Sequence, residues 1–122
     1  MKKLSLVSYA HIGDAVYELF IRELVVNCVQ KISVIHKNTI AFVCAEFQEK
    51  MLLFLEEYLT EEEQELKKRA RNLPLTKHKL SKQKVHRHAT AFEVLIGYWY
   101  MNDKNRLEEM FERIKPNIII SK

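Results

Sequence analysis

Apolar residues recur along this chain at intervals of three and four positions, the spacing that places them on one face of an α-helix. The first such segment spans residues 6–29, and Ser5 or Ser8 is in position to cap its first turn. The second spans residues 33–58, with Ser33 as its cap and room for a bend within residues 44–48. Both segments therefore predict long helices that bury one face.

The middle of the chain predicts a shorter helix followed by a loop. Thr60 and Glu63 match a capping box, in which each side chain accepts a hydrogen bond from the backbone amide of the other residue. The helix that they begin should end near Arg71. Residues 72–85, with Pro74 close to their start, should form a loop.

Two more helices are predicted after this loop. The fourth begins at His86 or Arg87. The fifth is capped by Asn102 or Asp103 and runs to about residue 115, where Pro116 stops it. The pattern therefore predicts five helices.

The five helices and the scarcity of chain breakers predict an all-α fold. Glycine and proline occur only twice each, too rarely for the frequent turns of an all-β protein. With 122 residues, the chain is long enough to bury a core but too short for a second domain. We expect a single domain over residues 1–122, with a core at about 6–115 and a tail at 116–122 that packs on the core or frays.

The composition excludes several classes of site. Gly13 and Gly97 are too far apart for a dinucleotide-binding fingerprint or a phosphate-binding loop, and no serine has the flanking glycines of a hydrolase nucleophile. Cys28 and Cys44 form no C-x-x-C pair, so we interpret them as reduced core residues of a cytoplasmic protein. The longest run without a charged residue has ten positions, too few to span a membrane. We interpret the N-terminal segment as mature sequence rather than a secretion signal.

Positive charge is concentrated in one part of the chain. The net charge is +4, from 20 basic and 16 acidic residues. Residues 67–88 hold nine of the basic residues and no acidic one, so this window carries +9 and the remainder −5. Such a window is typical of a polyanion-binding surface, and a solvated charged loop is the alternative on charge alone. A DNA-binding recognition helix is disfavoured because the basic residues fall in a predicted loop.

Two carboxylates stand in unexpected places. Asp14 and Glu93 lie within apolar helical segments, where an acid must be paired, hydrogen-bonded, metal-bound or turned to solvent. Their helical faces carry small or polar residues, including Gly13 and Gly97, although glycine within a helix costs about 1 kcal/mol. Close approach of two helices, or of a helix and a ligand, would explain the glycines. Two acids on facing helices could hold a divalent cation such as Mg²⁺, and a solvent-facing or paired acid is the alternative for each.

The segments around these acids resemble the two signatures of a known family. Residues 9–18, Tyr-Ala-His-Ile-Gly-Asp-Ala-Val-Tyr-Glu, resemble the first signature of the ribonuclease III catalytic domain. Residues 89–97, Ala-Thr-Ala-Phe-Glu-Val-Leu-Ile-Gly, resemble the second, and the order, separation and helical context of the two agree. The chain is most similar to the mini-ribonuclease III family, which has this catalytic domain without a double-stranded-RNA-binding domain.

The resemblance implies a ribonuclease III endonuclease-domain-like helical bundle and a Mg²⁺-dependent endoribonuclease, with Mn²⁺ as an alternative metal. Such an enzyme cuts double-stranded RNA and leaves 5′-phosphate and 3′-hydroxyl ends. The resemblance further implies a homodimer, with no membrane partner, that matures large-subunit (23S) ribosomal RNA from its precursor. The alternative hypothesis is a non-catalytic double-stranded-RNA-binding or ribosome-assembly scaffold with the same fold.

Carried over by position, Asp14 and Glu93 are the catalytic and metal-binding acids. Ala10 and Thr90 stand where the larger ribonuclease III enzymes carry a Glu and an Asp. Because two of the four usual carboxylates are missing, we expect one firmly held Mg²⁺ per active centre and a second that depends on RNA phosphate.

Three residues could support these acids. Glu18, one turn after Asp14, could hold a water molecule of the ion's hydration shell or form a surface salt bridge. Thr90 lies one turn before Glu93 on the same helical face. His86 could orient an RNA phosphate or could be an ordinary histidine at a helix start.

The basic window would supply the contacts to RNA. A-form RNA offers phosphates and 2′-hydroxyls rather than readable base edges, and flexible cationic side chains suit both. The expected RNA-binding residues are Arg71, Lys77, Lys79, Lys82, Lys84 and Arg87. The aromatic run at residues 98–100 is expected to pack in the core and at the dimer interface rather than stack on bases.

Overall fold

Six α-helices follow one another in residues 3–74 and 82–122, the part of the chain that a computed structural model describes. They are α1 (Leu6–Val26), α2 (Ile32–Val43), α3 (Ala45–Leu55), α4 (Glu61–Arg71), α5 (Gln83–Asn102) and α6 (Lys104–Ile114). Short 3₁₀ turns at Glu56–Tyr58 and Lys115–Asn117 follow α3 and α6. The all-α prediction is confirmed, with six helices in place of five. None of these helices combines the length and the apolar character that crossing a membrane requires.

The predicted second helix is divided in two. Cys44 has extended backbone, with ψ of 158°, so α2 ends before it and α3 begins after it. This break lies within the stretch where the sequence left room for a bend. The predicted cap at Ser33 is wrong, because Lys31 holds that position and its carbonyl accepts hydrogen bonds from the amides of Val34 and Ile35.

The other helix boundaries differ from the predictions by a few residues. α1 ends at Val26 rather than near residue 29, and the side chain of Asn27 donates to the carbonyl of Glu23 beyond that end. α5 begins at Gln83, so the last residues of the predicted loop belong to the helix. The Thr60 capping box and the Asp103 cap are confirmed.

α5 is the central helix, and α1, α3, α4 and α6 pack against it. Its residues Phe92 and Trp99 are buried, together with Tyr17 of α1. The rings of Tyr17 and Phe92 meet edge to face at 5.0 Å, and the Tyr17 hydroxyl donates to the carbonyl of Phe42 on α2 at 2.7 Å. Burial raises the pKa of Tyr17, so its hydroxyl stays a neutral donor.

α1 and α5 touch through their backbones at the two glycines. A Cβ built on Gly13 would collide with the carbonyl group of Glu93, lying 2.7 Å from its carbon. A Cβ built on Gly97 would collide in the same way with the carbonyl group of Tyr9. Close approach of two helices is therefore the reason for both glycines, and the approach sets how α1 and α5 face each other.

The C-terminal tail packs back on the core. Ile118 and Ile120 contact the hydrophobic core. The buried side chain of Asn38 donates to the carbonyl of Ser121 at 2.8 Å and accepts from its amide at 2.9 Å. The side-chain amide of Asn38 thus satisfies both backbone hydrogen-bonding groups of Ser121 and holds the tail against α2.

The prediction of two core cysteines is wrong. Cys28 is exposed just beyond the end of α1, and Cys44 is half-buried at the break between α2 and α3. Both are free thiols, as predicted. The small size and weak polarity of cysteine let it stand in a short connection as readily as in a core.

Candidate active site

The backbone contact between α1 and α5 fixes the positions of the two unexpected acids. Asp14 follows Gly13 on α1, and Gly13 lies against the carbonyl of Glu93 on α5. Asp14 is exposed and Glu93 is half-buried. Both line one shallow cleft of about 300 Å³. The structure therefore brings together two acids that lie far apart in the sequence.

The same cleft contains the two positions at which the larger enzymes carry further acids. Ala10 lies one turn before Asp14 on α1, and Thr90 lies one turn before Glu93 on α5, and both line the cleft. The remaining lining residues are Val7, His11, Leu73 and Pro74. The four positions that carry acids in the larger enzymes therefore all line this cleft. In this chain they hold two carboxylates, from Asp14 and Glu93, the hydroxyl of Thr90 and the methyl group of Ala10.

The donor atoms of this cleft suit a hard divalent cation. Carboxylate and hydroxyl oxygens are ligands that Mg²⁺ accepts, and Mg²⁺ commonly takes one or two carboxylates and completes its shell with water and substrate phosphate. Within residues 3–74 and 82–122, no group of three or more His, Cys, Asp or Glu side chains could hold a metal ion. A site that is completed by substrate fits this cleft, whereas a closed structural site such as that of zinc does not.

The predicted supporting residues have separate locations. Thr90 lines the cleft. Glu18 accepts from Arg22 at 2.6 Å, so the surface salt bridge considered from the sequence is present. His86 is half-buried and lies near Glu46. The pKa of Glu46 is lowered mainly by a backbone hydrogen bond at the start of α3, then by Lys82, and to a small degree by His86.

The predicted RNA-binding residues divide into three groups. Arg71, Lys84 and Arg87 line a second shallow groove of about 340 Å³, between the end of α4 and the start of α5. Lys82 forms an exposed salt bridge with Glu46 at 3.1 Å. Lys77 and Lys79 lie outside the described residues.

The second turn of α5 has two internal contacts that the sequence did not reveal. Nη1 of Arg87 donates to the carbonyls of Arg71 and Leu73, at 3.0 Å each. Nδ1 of the buried His88 lies 2.6 Å from a carboxylate oxygen of Glu49 on α3. Sequence carried no signal for either contact, because the partners lie 14 to 39 residues away.

A second polar cluster lies beside the end of α5. Glu63 accepts hydrogen bonds from Trp99 at 2.8 Å, from Arg106 at 2.7 and 3.0 Å, and from the Thr60 amide at 2.9 Å. Burial by itself would raise the pKa of Glu63, but these hydrogen bonds outweigh burial and lower it. The capping box indicated Glu63 from sequence, whereas its contacts with α5 and α6 required the fold. A cavity of about 630 Å³ adjoins this cluster and includes neither Asp14 nor Glu93.

Comparison with known proteins adds an independent observation. The sequence profile of the Ribonuclease III domain matches residues 7–104. The chain is 41% identical over 109 residues to a Mini-ribonuclease 3 of Thermosynechococcus vestitus, covering 89% of this chain and 72% of that protein. It is 40% identical over 121 residues to a Mini-ribonuclease 3 of Clostridium tetani, covering 93% and 78%.

A solved structure supports the same relationship. The fold is similar to the crystal structure of a protein from Fusobacterium nucleatum, with a TM-score of 0.82 and 26% sequence identity. The match covers 95% of this chain and 96% of that one. The match to the domain profile includes both signatures, and the relatives align over most of the chain. The chain therefore belongs to the ribonuclease III family, is similar to its mini-ribonuclease members, and is an endoribonuclease of this class.

Proposed function

We propose that this endoribonuclease cuts double-stranded RNA in a Mg²⁺-dependent reaction that leaves 5′-phosphate and 3′-hydroxyl ends. Asp14 and Glu93 are the catalytic and metal-binding acids of this proposal. The observation that carries it is their convergence on one cleft, where α1 and α5 touch and where Ala10 and Thr90 complete the set of four positions.

Hydrolysis of a phosphodiester requires that the reacting groups be positioned and that negative charge be neutralised. A phosphodiester is anionic and repels a nucleophile, and bound Mg²⁺ supplies the positive charge that offsets this repulsion. Asp14 and Glu93 would hold that ion from two helices whose backbones are in contact at Gly13. The Thr90 hydroxyl lies in the same cleft and can donate a hydrogen bond to a phosphate oxygen.

The basic window binds the phosphates of the duplex in this proposal, through Arg71, Lys77, Lys79, Lys82 and Lys84. Arg71 and Lys84 line the groove beside α5. Lys82 forms a salt bridge with Glu46, but a solvent-exposed salt bridge is weak, so an RNA phosphate can replace that partner. Binding through phosphates weakens steeply as salt rises, because counterions are released.

The assembly and the substrate follow the resemblance to mini-ribonuclease III. A homodimer presents two clefts, one for each strand of the duplex. Val7, at the cleft, is 66% exposed and offers apolar surface for a second copy of the chain. The substrate in this proposal is precursor 23S ribosomal RNA, in the cytoplasm. A monomeric mass at micromolar concentration in sedimentation would contradict the dimer.

A non-catalytic RNA-binding or ribosome-assembly scaffold is the second candidate. One observation favours it, because two of the four positions in the cleft, Ala10 and Thr90, carry no carboxylate. The two candidates differ in whether the cleft binds a divalent cation. An RNA scaffold needs phosphate contacts only, whereas the nuclease needs Asp14 and Glu93 to act together on an ion.

Thermal unfolding in Mg²⁺ separates these candidates. A ligand that binds only the folded state, at a hundred times its Kd, stabilises by about 2.7 kcal/mol. We expect Mg²⁺ to raise the Tm of the unaltered chain and of Glu108→Gln, which removes an exposed acid on α6. Glu93→Gln should lose the increase. Equal increases in all three proteins would place Mg²⁺ elsewhere and contradict the proposed site.

A further inference from the structure

One wall of the cleft comes from the segment that follows α4. Leu73 and Pro74 line the cleft together with Asp14 and Glu93. Neither residue belongs to a helix. The backbone of this wall is held by a hydrogen bond from the Leu73 amide to the carbonyl of Ala70, at 3.1 Å, and by one from Arg87 to the carbonyl of Leu73, at 3.0 Å.

Arg87 acts as a clamp, because its guanidinium binds two backbone carbonyls near the end of α4. The last carbonyls of an α-helix have no partner within the helix, and the carbonyl end of the helix dipole favours a cation. Nη1 of Arg87 donates to the carbonyl of Arg71, the last residue of α4, and to that of Leu73 in the cleft wall. One guanidinium nitrogen therefore joins the end of α4 to the wall.

The other end of this clamp is equally fixed. His88, the next residue, is buried and contacts Glu49, which holds the second turn of α5 against α3. Farther along α5, Thr90 and Glu93 line the cleft. Arg87 thus links the Leu73–Pro74 wall to α5, the helix that carries Glu93.

We propose that Arg87 is a positioning residue for RNA cleavage, which holds the Leu73–Pro74 wall against Asp14 and Glu93, rather than a phosphate contact. This inference rests on the proposed function for its effect on cleavage. The contact between Arg87 and the wall stands independently of that function. The inference replaces the role that the charge pattern gave to Arg87, because the guanidinium is turned to backbone carbonyls of its own chain.

Two substitutions separate positioning from phosphate binding. Arg87→Met removes the charge and both hydrogen bonds, whereas Arg87→Lys keeps the charge but loses the planar guanidinium fork. Lys50→Met, at an exposed position of α3 outside the basic window, removes one charge as the matched control. Each protein is compared for its Kd for duplex RNA without metal, the salt dependence of that Kd, and its cleavage rate at saturating RNA with Mg²⁺.

Positioning predicts slower cleavage at saturation in both Arg87 variants, by about a hundredfold for a displacement of about 1 Å. The Kd and its salt dependence should match those of the unaltered chain and of Lys50→Met. A phosphate contact predicts the reverse, with a weaker Kd in Arg87→Met, a recovered Kd in Arg87→Lys, and unchanged cleavage at saturation. That reverse pattern, or no effect of either variant, would overturn the inference.

Amide hydrogen exchange tests the clamp without cleavage. Both Arg87 variants should speed exchange at Leu73, whose amide is hydrogen-bonded, while the amide of Tyr17 on α1 stays protected. Unchanged exchange at Leu73 would show that Arg87 does not hold the wall. If the unaltered chain fails to cut any duplex, the proposed function fails, and the exchange result still decides whether Arg87 positions this segment.

Discussion

The backbone carbonyl of Glu93 lies against Gly13, the residue that immediately precedes Asp14. This contact between helix backbones therefore sets how the two helices that carry the acids of the candidate site face each other. Any side chain at Gly13 would have to separate α1 from α5 and, with them, the acids.

Gly13→Ala should destabilise the protein and slow cleavage together. Alanine in place of glycine normally stabilises a helix by about 1 kcal/mol. Here the new Cβ would collide with the carbonyl of Glu93, and overpacking of this kind costs about 1–3 kcal/mol. Urea unfolding measures the first effect, and the cleavage rate per folded molecule measures the second. A more stable, fully active Gly13→Ala protein would show that the helices do not approach as described.

Adding the missing carboxylates should strengthen cation binding. Ala10→Glu and Thr90→Asp introduce acids at the two cleft positions that lack them, and affinity for hard cations rises with the number of charged ligands. We expect the double variant to bind Mg²⁺ on the order of tenfold more tightly in calorimetry. Ala15→Glu, which adds an acid at an exposed position of α1 that does not line the cleft, is the control. Equal affinity in all three proteins would count against a metal site in this cleft.

Stability should fall in acid through Glu63. The pKa of Glu63 is lowered in the folded protein from its usual value of 4.5. Glu63 therefore contributes its full share to the stability of the folded state at pH values above 4.5. The contribution is lost as pH falls through the lower folded value, because the protonated acid no longer pairs with Arg106. Unfolding free energies measured by urea at pH 6 and pH 3 should differ more in the unaltered chain than in Glu63→Gln. Identical pH dependence in the two proteins would contradict this role.

Replacing Lys79, Lys82 and Lys84 with alanine should weaken RNA binding while the fold is retained. Log affinity falls as log salt rises, and each lost phosphate contact makes this slope shallower by about one. Removal of three contacts should therefore make it shallower by about three. The readouts are duplex binding over a range of salt concentrations and the Tm of the free protein. An unchanged slope would show that these three lysines do not bind RNA phosphates.

Helical periodicity accounts for how much of the fold the sequence could predict. The sequence predicted the caps at Thr60 and Asp103 and the helix that follows each cap, because capping depends on residues close together in the chain. The break at Cys44 was only partly readable, since neither glycine nor proline marks it and tertiary packing decides it. The arrangement of residues 1–122 as a single domain stays a prediction.

The candidate site was readable to a different extent. Asp14 and Glu93 were found because they lie within apolar helical segments, on faces that carry small or polar residues and a glycine. That pattern left two explanations for the glycines, the approach of two helices or of a ligand, and the structure shows the first. The wall at Leu73 and Pro74 gave no such signal, because its place in the cleft depends on how α4 ends. Charge alone assigned Arg87 to RNA, and only its carbonyl partners reveal the internal contact.

The most direct test of the account is cleavage of a labelled RNA duplex of about 30 base pairs, the length of about three helical turns, together with a precursor-ribosomal-RNA helix. The unaltered chain is compared with Asp14→Asn, Glu93→Gln and Glu108→Gln, in Mg²⁺ and with EDTA. We expect the unaltered chain and Glu108→Gln to cut, leaving 5′-phosphate ends, and both cleft variants and EDTA to abolish cutting. Tight binding of both RNAs without cleavage in Mg²⁺ or Mn²⁺ would contradict the account and favour the scaffold.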